Sequence, residues 1–259
     1  MVLLVGAGCG GSAQSVATTP VVPATVELGG MPGPMSGASV PTLPVVTMTS
    51  VPTSEAIPVV LPPLVDDVRD HRLLLVGDSA LVPTTSRADG TMCEFVTELG
   101  WDVDVEAEPG RSIGFADGVL DEVLDGQLDG QFDVVGLMFG NRVELSVDDF
   151  AQTLDEVLDR LGARAVILYT VAEVSDEQVE VNQIVRQRGR TRPNVVVVDW
   201  ADAVAVEQDD PLTDGGPVPN EVGAERLAML TADVLGDLET DEPGECVEPV
   251  FTDDSAIEL

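Results

Sequence analysis

Four small residues in this chain are spaced for chemistry on a carbonyl group. Ser79 closes the triplet "GDS" with Gly77 and Asp78, and Gly110 lies in "EPGRSIG". Asn141 follows Gly140 in "FGNR", and Asp214 lies in "TDGG". A serine hydroxyl becomes a nucleophile when an adjacent base takes its proton. The backbone N–H groups of Ser79 and Gly110, with the side-chain amide of Asn141, would form an oxyanion hole. Asp214 would orient and support the base. Ser79 and Asp214 are therefore the catalytic candidates of a nearly complete acyl-transfer site. The missing member is the base itself.

His71 is the single histidine. It stands at the start of the apolar run that leads to Ser79. Eight strand residues at roughly 3.3 Å each put the two about 26 Å apart, on opposite edges of a sheet. His71 is expected to be solvent-exposed at the entrance to the domain. In "LTDGGPVPNEVGAERLA" the residue after the glycine pair is Pro217, which carries no base. A Ser–His–Asp arrangement cannot form within this chain. Asp210 or Asp214 could act as a weak base, but a carboxylate pKa near 4 is badly matched to that task. A partner chain is another source of a base. Each candidate also has a plain structural role. Ser79 would cap a helix, Gly110 and Asn141 would make turns, and Asp214 with Gly215 and Gly216 would be a loop. Asp78 fits a turn-holding role better than a chemical one.

The elements that must position these residues follow from hydrophobic pattern. "RLLLVGDS", "FDVVGLMFGN", "ARAVILYT" and "NVVVVDW" are short apolar runs that read as buried strands, and "WDVDVEAE" alternates like a strand. Between them "TMCEFVTELG", "FADGVLDEVLDGQL", "SVDDFAQTLDEVLDRLG", "SDEQVEVNQIVRQRG" and "NEVGAERLAMLTADVLGDL" have helical period. The third of these opens with Ser146 as N-cap, with Asp149 three residues on, and closes at Gly162. Alternating strands and helices with continuous apolar strands imply a parallel sheet covered on both faces. Ligand sites in such folds lie beyond the C-terminal ends of the strands. All four candidates follow strands.

In order and spacing these blocks resemble the SGNH (GDSL-like) hydrolase family, and within it the domains associated with bacterial cell-envelope acyltransferases. "LLLVGDSALV", "PGRSIG", "FGN", "VNQIVR" with "NVVVVDWADA", and "TDGGPVPNEVGAERLA" are similar to successive family blocks across roughly Arg72 to Leu238. The resemblance implies a three-layer α/β/α fold with a central parallel sheet, flavodoxin-like in outline, and ester or acyl chemistry on envelope carbohydrates or lipids. In the last block the family has Asp-Gly-x-His, and the family histidine falls on Pro217.

The 259 residues carry a formal charge of −35. Phosphate binding needs clustered Lys and Arg, so nucleic acid is excluded as a partner, and so is docking on anionic headgroups. Hydrophobic residues make up 44% of the chain, enough for a core. The acidic surface reads as a solvated, self-repelling one. With one histidine and no paired cysteine motif, no metal and no cofactor is expected.

The opening "MVLLVGAGCGGS" resembles the end of a bacterial lipoprotein signal, with Cys9 as the lipidated residue. It lacks a basic leader, its apolar run is short, and Gly6 stands where leucine is usual. One explanation is a true start codon upstream; the alternative is a frayed apolar end with an incidental cysteine. The run is too short to span a bilayer. Residues 10–65 are rich in Pro, Thr and Val and read as a disordered tether. Residues 66–238 are the folded domain, and 239–259 an acidic tail. If the chain is exported, Cys93 and Cys246 would be left to form a disulfide.

The expected protein is an SGNH-like domain on a stalk, lipid-anchored outside a bacterial cytoplasmic membrane. Three readings of its site are open. It binds an acylated or carbohydrate ligand with hydrolysis lost or severely impaired; or it is an unconventional esterase or acyltransferase using Ser79 without histidine; or it is an anchored scaffold with a vestigial pocket.

Overall fold

Continuous apolar runs can be buried only if both sheet faces are covered, and that is how they are used. The structure, a computed structural model, describes residues 63–125, 132–141, 146–206, 210–213 and 216–250. Cys9 and nearly all of the stretch read as a tether lie outside the described residues. Six strands form one sheet: β1 (Arg72–Gly77), β2 (Asp102–Ala107), β3 (Val134–Met138), β4 (Ala165–Tyr169), β5 (Val195–Val198) and β6 (Cys246–Val247). The order is β5-β4-β3-β1-β2-β6, and every pairing is parallel.

Among the described residues six α-helices flank the sheet: α1 (Thr91–Thr97), α2 (Gly114–Asp125), α3 (Val147–Leu161), α4 (Asp176–Thr191), α5 (Trp200–Val206) and α6 (Glu221–Leu235). Met92 and Val96 of α1, Trp200 of α5 and Leu227, Ala228 and Leu235 of α6 pack on one sheet face with Leu73 and Leu75 of β1. Val119 of α2, Leu154 and Leu158 of α3 and Val181 and Val185 of α4 pack on the other, with Leu74 and Val76. Successive β1 residues thus serve opposite faces, as strand geometry requires. This is the three-layer α/β/α arrangement expected from the sequence. Helix α3 has the foreseen capping box between Ser146 and Asp149, and Gly162 is its C-cap.

The structure departs from the expectations in four places. Leu64, in a 3₁₀ turn before the expected domain start at 66, is buried in the core. A seven-residue helix, α5, follows β5 where the sequence shows only the end of a strand. His71 is not a free surface residue: it is half-buried, with its ring edge-on to Trp101 at a centroid distance of 5.3 Å. The acidic tail contributes β6, which pairs with Val103 and Asp104 of β2; the Cys93–Cys246 disulfide that joins it to α1 is the pairing the sequence raised.

That returning tail explains an unusual edge. Alternation along β2 would normally send Asp104 and Glu106 to solvent, yet both are buried, as is Glu108. The Val250 N–H donates to Glu106 Oε1 at 2.6 Å, and Glu108 pairs with Arg87. Burial, reinforced by the Glu106 charge, pushes the Asp104 carboxyl up to about 8. A carboxyl raised in the folded state binds its proton more tightly there than in the unfolded chain. Its ionisation therefore opposes folding progressively as pH rises from about 4 to about 8. Asp104→Asn, which does not titrate, is expected to raise the midpoint of thermal unfolding, with little gain near pH 4 and the full gain above pH 8. Local release of the edge limits the penalty, so a gain of about 2 kcal/mol is expected. Unfolding curves at pH 4.5 and 8.5 check this; a pH-independent difference would rule it out.

Candidate functional site

The strand order places the site. The chain leaves β1 toward β2 on one side and later returns to β3 on the other, so the loops after β2, β1 and β3 are neighbours in space. This is the switch point at which open α/β sheets form their ligand crevice. Gly110, Ser79 and Asn141 lie in those three loops.

Asp78 assembles the centre. Its N–H donates to the carbonyl of Met138 at 3.1 Å, joining the ends of β1 and β3. Its Oδ1 accepts from the Ala80 N–H at 2.9 Å, closing the turn that presents Ser79. Its Oδ2 accepts from the N–H groups of Gly140 at 3.0 Å and Asn141 at 2.9 Å. Burial pushes the carboxyl up to about 6, against the pull of those three N–H donors toward the ionised form. Asp78 is thus the turn-holder that the sequence suggested.

With the backbone held this way, Asn141 Nδ2 donates to Ser79 Oγ at 2.7 Å. Asn141 Oδ1 is buried and has no partner among the described residues. Ser79 caps no helix, because the following 3₁₀ turn and α1 are preceded by Leu81 and Gly90. Among the described residues, neither the Ser79 nor the Gly110 backbone N–H is spent on a protein acceptor. Gly110 is exposed with φ +78, a turn conformation that suits glycine. A half-buried hydroxyl, a side-chain amide touching it and two uncommitted N–H groups in adjacent loops can hold a carbonyl or acyl oxygen.

The base side of the site differs. Asp214 lies outside the described residues. The loop around it is closed by a Leu212–Pro219 bridge, with Thr213 N–H donating to the Val218 carbonyl at 2.8 Å. Asn220 anchors its end, capping α6 through Gly223 N–H and donating to the carbonyls of Asp210 and Leu212. Pro217 is half-buried in this loop. His71 precedes β1 while Ser79 follows it, so the whole strand separates them. A cleft of about 750 Å³ opens at that same far edge, between Leu64, Phe132, Arg164 and Asn194. It is at the wrong end of the strands to serve Ser79.

Sequence reasoning missed a stripe on α4. Gln178, Asn182 and Arg186 are spaced i, i+4, i+8 and so share one helix face. Gln178 Nε2 donates to the Asn141 carbonyl at 3.1 Å. Asn182 accepts from Val171 N–H and donates to the Val171 carbonyl. Arg186 makes a two-pronged pair with Asp199 at 2.7 and 2.8 Å. Each residue grips the loop after a different strand. The signal was present as three long polar residues at helical spacing on a helix expected to pack on the sheet.

No family model matches this chain, and no curated protein is significantly similar to it. Solved structures are similar. A lipase/acylhydrolase from Enterococcus faecalis is 20% identical with a TM-score of 0.52, over 62% of this chain and 93% of that one. A lipolytic protein of the G-D-S-L family from Desulfitobacterium hafniense is 15% identical with a TM-score of 0.51, over 64% and 99%. The catalytic domain of Streptococcus pneumoniae peptidoglycan O-acetyltransferase A is 16% identical with a TM-score of 0.50, over 68% and 97%. At these identities the likeness is one of fold. The chain has the α/β fold of the SGNH hydrolases, as the resemblance of its sequence blocks implies.

Proposed function

We propose that this SGNH-fold domain binds an acylated or carbohydrate ligand of the bacterial cell envelope, with its ester hydrolysis lost or severely impaired. The observation that carries the reading is the 2.7 Å contact between Asn141 Nδ2 and Ser79 Oγ, in a chain whose one histidine lies at the opposite end of β1. The groups that would hold an acyl oxygen are kept, and the group that would take the serine proton is replaced by Pro217. Losing a triad histidine costs about 10⁶-fold in turnover in subtilisin, leaving about 10³–10⁴ over water from the oxyanion hole and binding. A ligand would enter with its carbonyl oxygen toward the N–H groups of Ser79 and Gly110 and the Asn141 amide. It would leave unchanged, because Pro217 offers no base for the Ser79 proton. Neither a metal nor a cofactor has a role in this scheme.

The intact Ser79–Asn141 pair also favours a second reading, a slow esterase or acyltransferase that uses Ser79 without histidine. Hydrolysis of a short-chain nitrophenyl ester by the full chain and by Ser79→Ala separates the two. Equal rates are expected; a rate that falls in Ser79→Ala would sink the non-catalytic reading.

The envelope placement is part of the proposal. Its support is the lipoprotein-like Cys9 and the Cys93–Cys246 disulfide, a bond typical of oxidising, extracytoplasmic compartments. The membrane is then contacted through the N-terminal lipid alone. Cys9→Ser is expected to move the protein from the membrane fraction to the soluble fraction of a lysed bacterial host. Unchanged membrane retention would remove the anchor from the proposal.

A further inference from the structure

We infer that Gln178 is a positioning residue that holds the Asn141 amide on Ser79. The inference rests on the reading of Ser79 and Asn141 as the ligand-binding pair, and assigns that pair its support.

The Asn141 peptide is gripped from both sides. Asp78 Oδ2 takes its N–H at 2.9 Å, and Gln178 Nε2 gives a hydrogen bond to its carbonyl at 3.1 Å. Fixing both ends of one residue's backbone fixes the direction in which its side chain leaves. Here that direction ends on Ser79 Oγ. Asp78 cannot do this alone, because rotation about the Asn141 N–Cα bond swings its side chain and carbonyl while leaving its N–H in place.

Gln178 is suited to the task by burial and by its second set of bonds. It is 4% exposed, in the first turn of α4. Its Oε1 accepts from the Val174 N–H at 3.0 Å and from Ser175 Oγ at 3.2 Å. The amide plane is thus pinned at the helix end, which leaves Nε2 aimed across at the β3 loop. Close packing supports the same contact. A Cβ on Gly140, whose φ is +115, would lie 2.5 Å from Val181 of α4. The helix and the turn therefore meet closely at Gly140, next to Asn141.

This residue separates capping from positioning. Three residues after a serine N-cap, glutamate and glutamine both serve as first-turn acceptors. Only glutamine has an N–H to give Asn141. Gln178→Glu would keep the acceptor at the helix end and set a carboxylate oxygen against a carbonyl oxygen.

The test uses the full chain and phenylmethanesulfonyl fluoride as the probe. The Ser79 Oγ–S bond forms as the S–F bond breaks; fluoride leaves, and the hydroxyl proton passes to solvent. The second-order rate is read by intact mass, with Ser79→Ala as the blank. Asn141→Ala is expected to slow labelling about 10²-fold, the scale of one lost oxyanion donor. Gln178→Glu is expected to slow it about 10-fold when Asn141 is present and less than 2-fold in the Asn141→Ala background, because it acts through Asn141. An equal fall in both backgrounds would assign Gln178 a merely structural role and overturn the inference, as would no fall at all. If Asn141→Ala labels as fast as the native chain, the reading of the pair fails instead; if Ser79 is not labelled at all, the missing base accounts for it and labelling does not decide. Gln178 is then judged by the Asn141 side-chain amide resonances. Their shift in Gln178→Glu sustains the positioning role, and their constancy ends it.

Discussion

Replacing Pro217 with histidine is expected to raise Ser79-dependent hydrolysis of a nitrophenyl ester by about 10²–10⁴-fold, the range that a positioned general base contributes. The gain should follow the neutral imidazole, rising through a pH near 6.5 and levelling above it. The expectation depends on the other parts being ready. Ser79 Oγ is already in contact with the Asn141 amide, and Asp78 already joins the two loops that carry them. The host loop should tolerate the change. Proline donates no backbone hydrogen bond, so none is lost at position 217, and the closing bonds of the loop belong to Thr213, Gly216 and Asn220. Releasing a proline constraint costs about 0.4–1 kcal/mol through the unfolded chain. Pro217→Ala controls for that release and should stay at background. A gain that survives Ser79→Ala would mean that the new histidine works alone. No gain at all would put the loop, and with it the reading of Pro217 as the lost base, in error.

The sequence carried this fold well where burial on both sheet faces left no choice of residue. "LLLV", "VVGLM", "AVILY" and "VVVV" could be little else than strands of a covered parallel sheet, and the glycines and serines around them marked the turns. Ser79 and Asn141 were legible as small polar residues directly after apolar strands, and the structure puts their side chains in contact. The sequence misled at β2. Alternation there assigns the acids to water, but their exposure depends on what the distant C-terminal segment does, and that is not written in β2. It was silent about Gln178 for a related reason. Position on a helix face can be read locally, but the partner across the gap, the Asn141 carbonyl, is a backbone atom that any residue would supply. The two-residue β6 is too short to leave a periodic signal at all.

That short strand leads to the other large effect. Removing the disulfide with Cys93→Ala and Cys246→Ala is expected to destabilise the domain by about 3–5 kcal/mol and to lower its unfolding midpoint by more than 10 °C. The bond spans 153 residues with Cα atoms 5.4 Å apart. Closing a loop of that size restricts the unfolded chain by about 5 kcal/mol in the chain-entropy account. Little else would hold the tail in place. Strand β6 is exposed and only two residues long. Its neighbours add the Gly244 N–H to the Thr97 carbonyl, the Val103 N–H to the Glu245 carbonyl and the Glu245 N–H to Asp102 Oδ1. Gly244 lies so close to β2 that a Cβ there would sit 1.9 Å from the Trp101 carbonyl oxygen, so the tail has one tight seat and few ways to slide into another. Loss of the clip should therefore act first at the sheet edge. Amide exchange in residues 103–107 and 244–250 is expected to accelerate well before the core strands β1 and β3 open. Release of the tail would also uncover Asp104, so its carboxyl would lose its proton more readily and oppose the tail's return above neutral pH. The alanine pair should thus lose stability less steeply than the disulfide-bonded chain between pH 5 and pH 8, so that its deficit is smaller at pH 8. A uniform loss across the sheet, or none, would mean that β6 is held by its own contacts and that the disulfide is incidental to the fold.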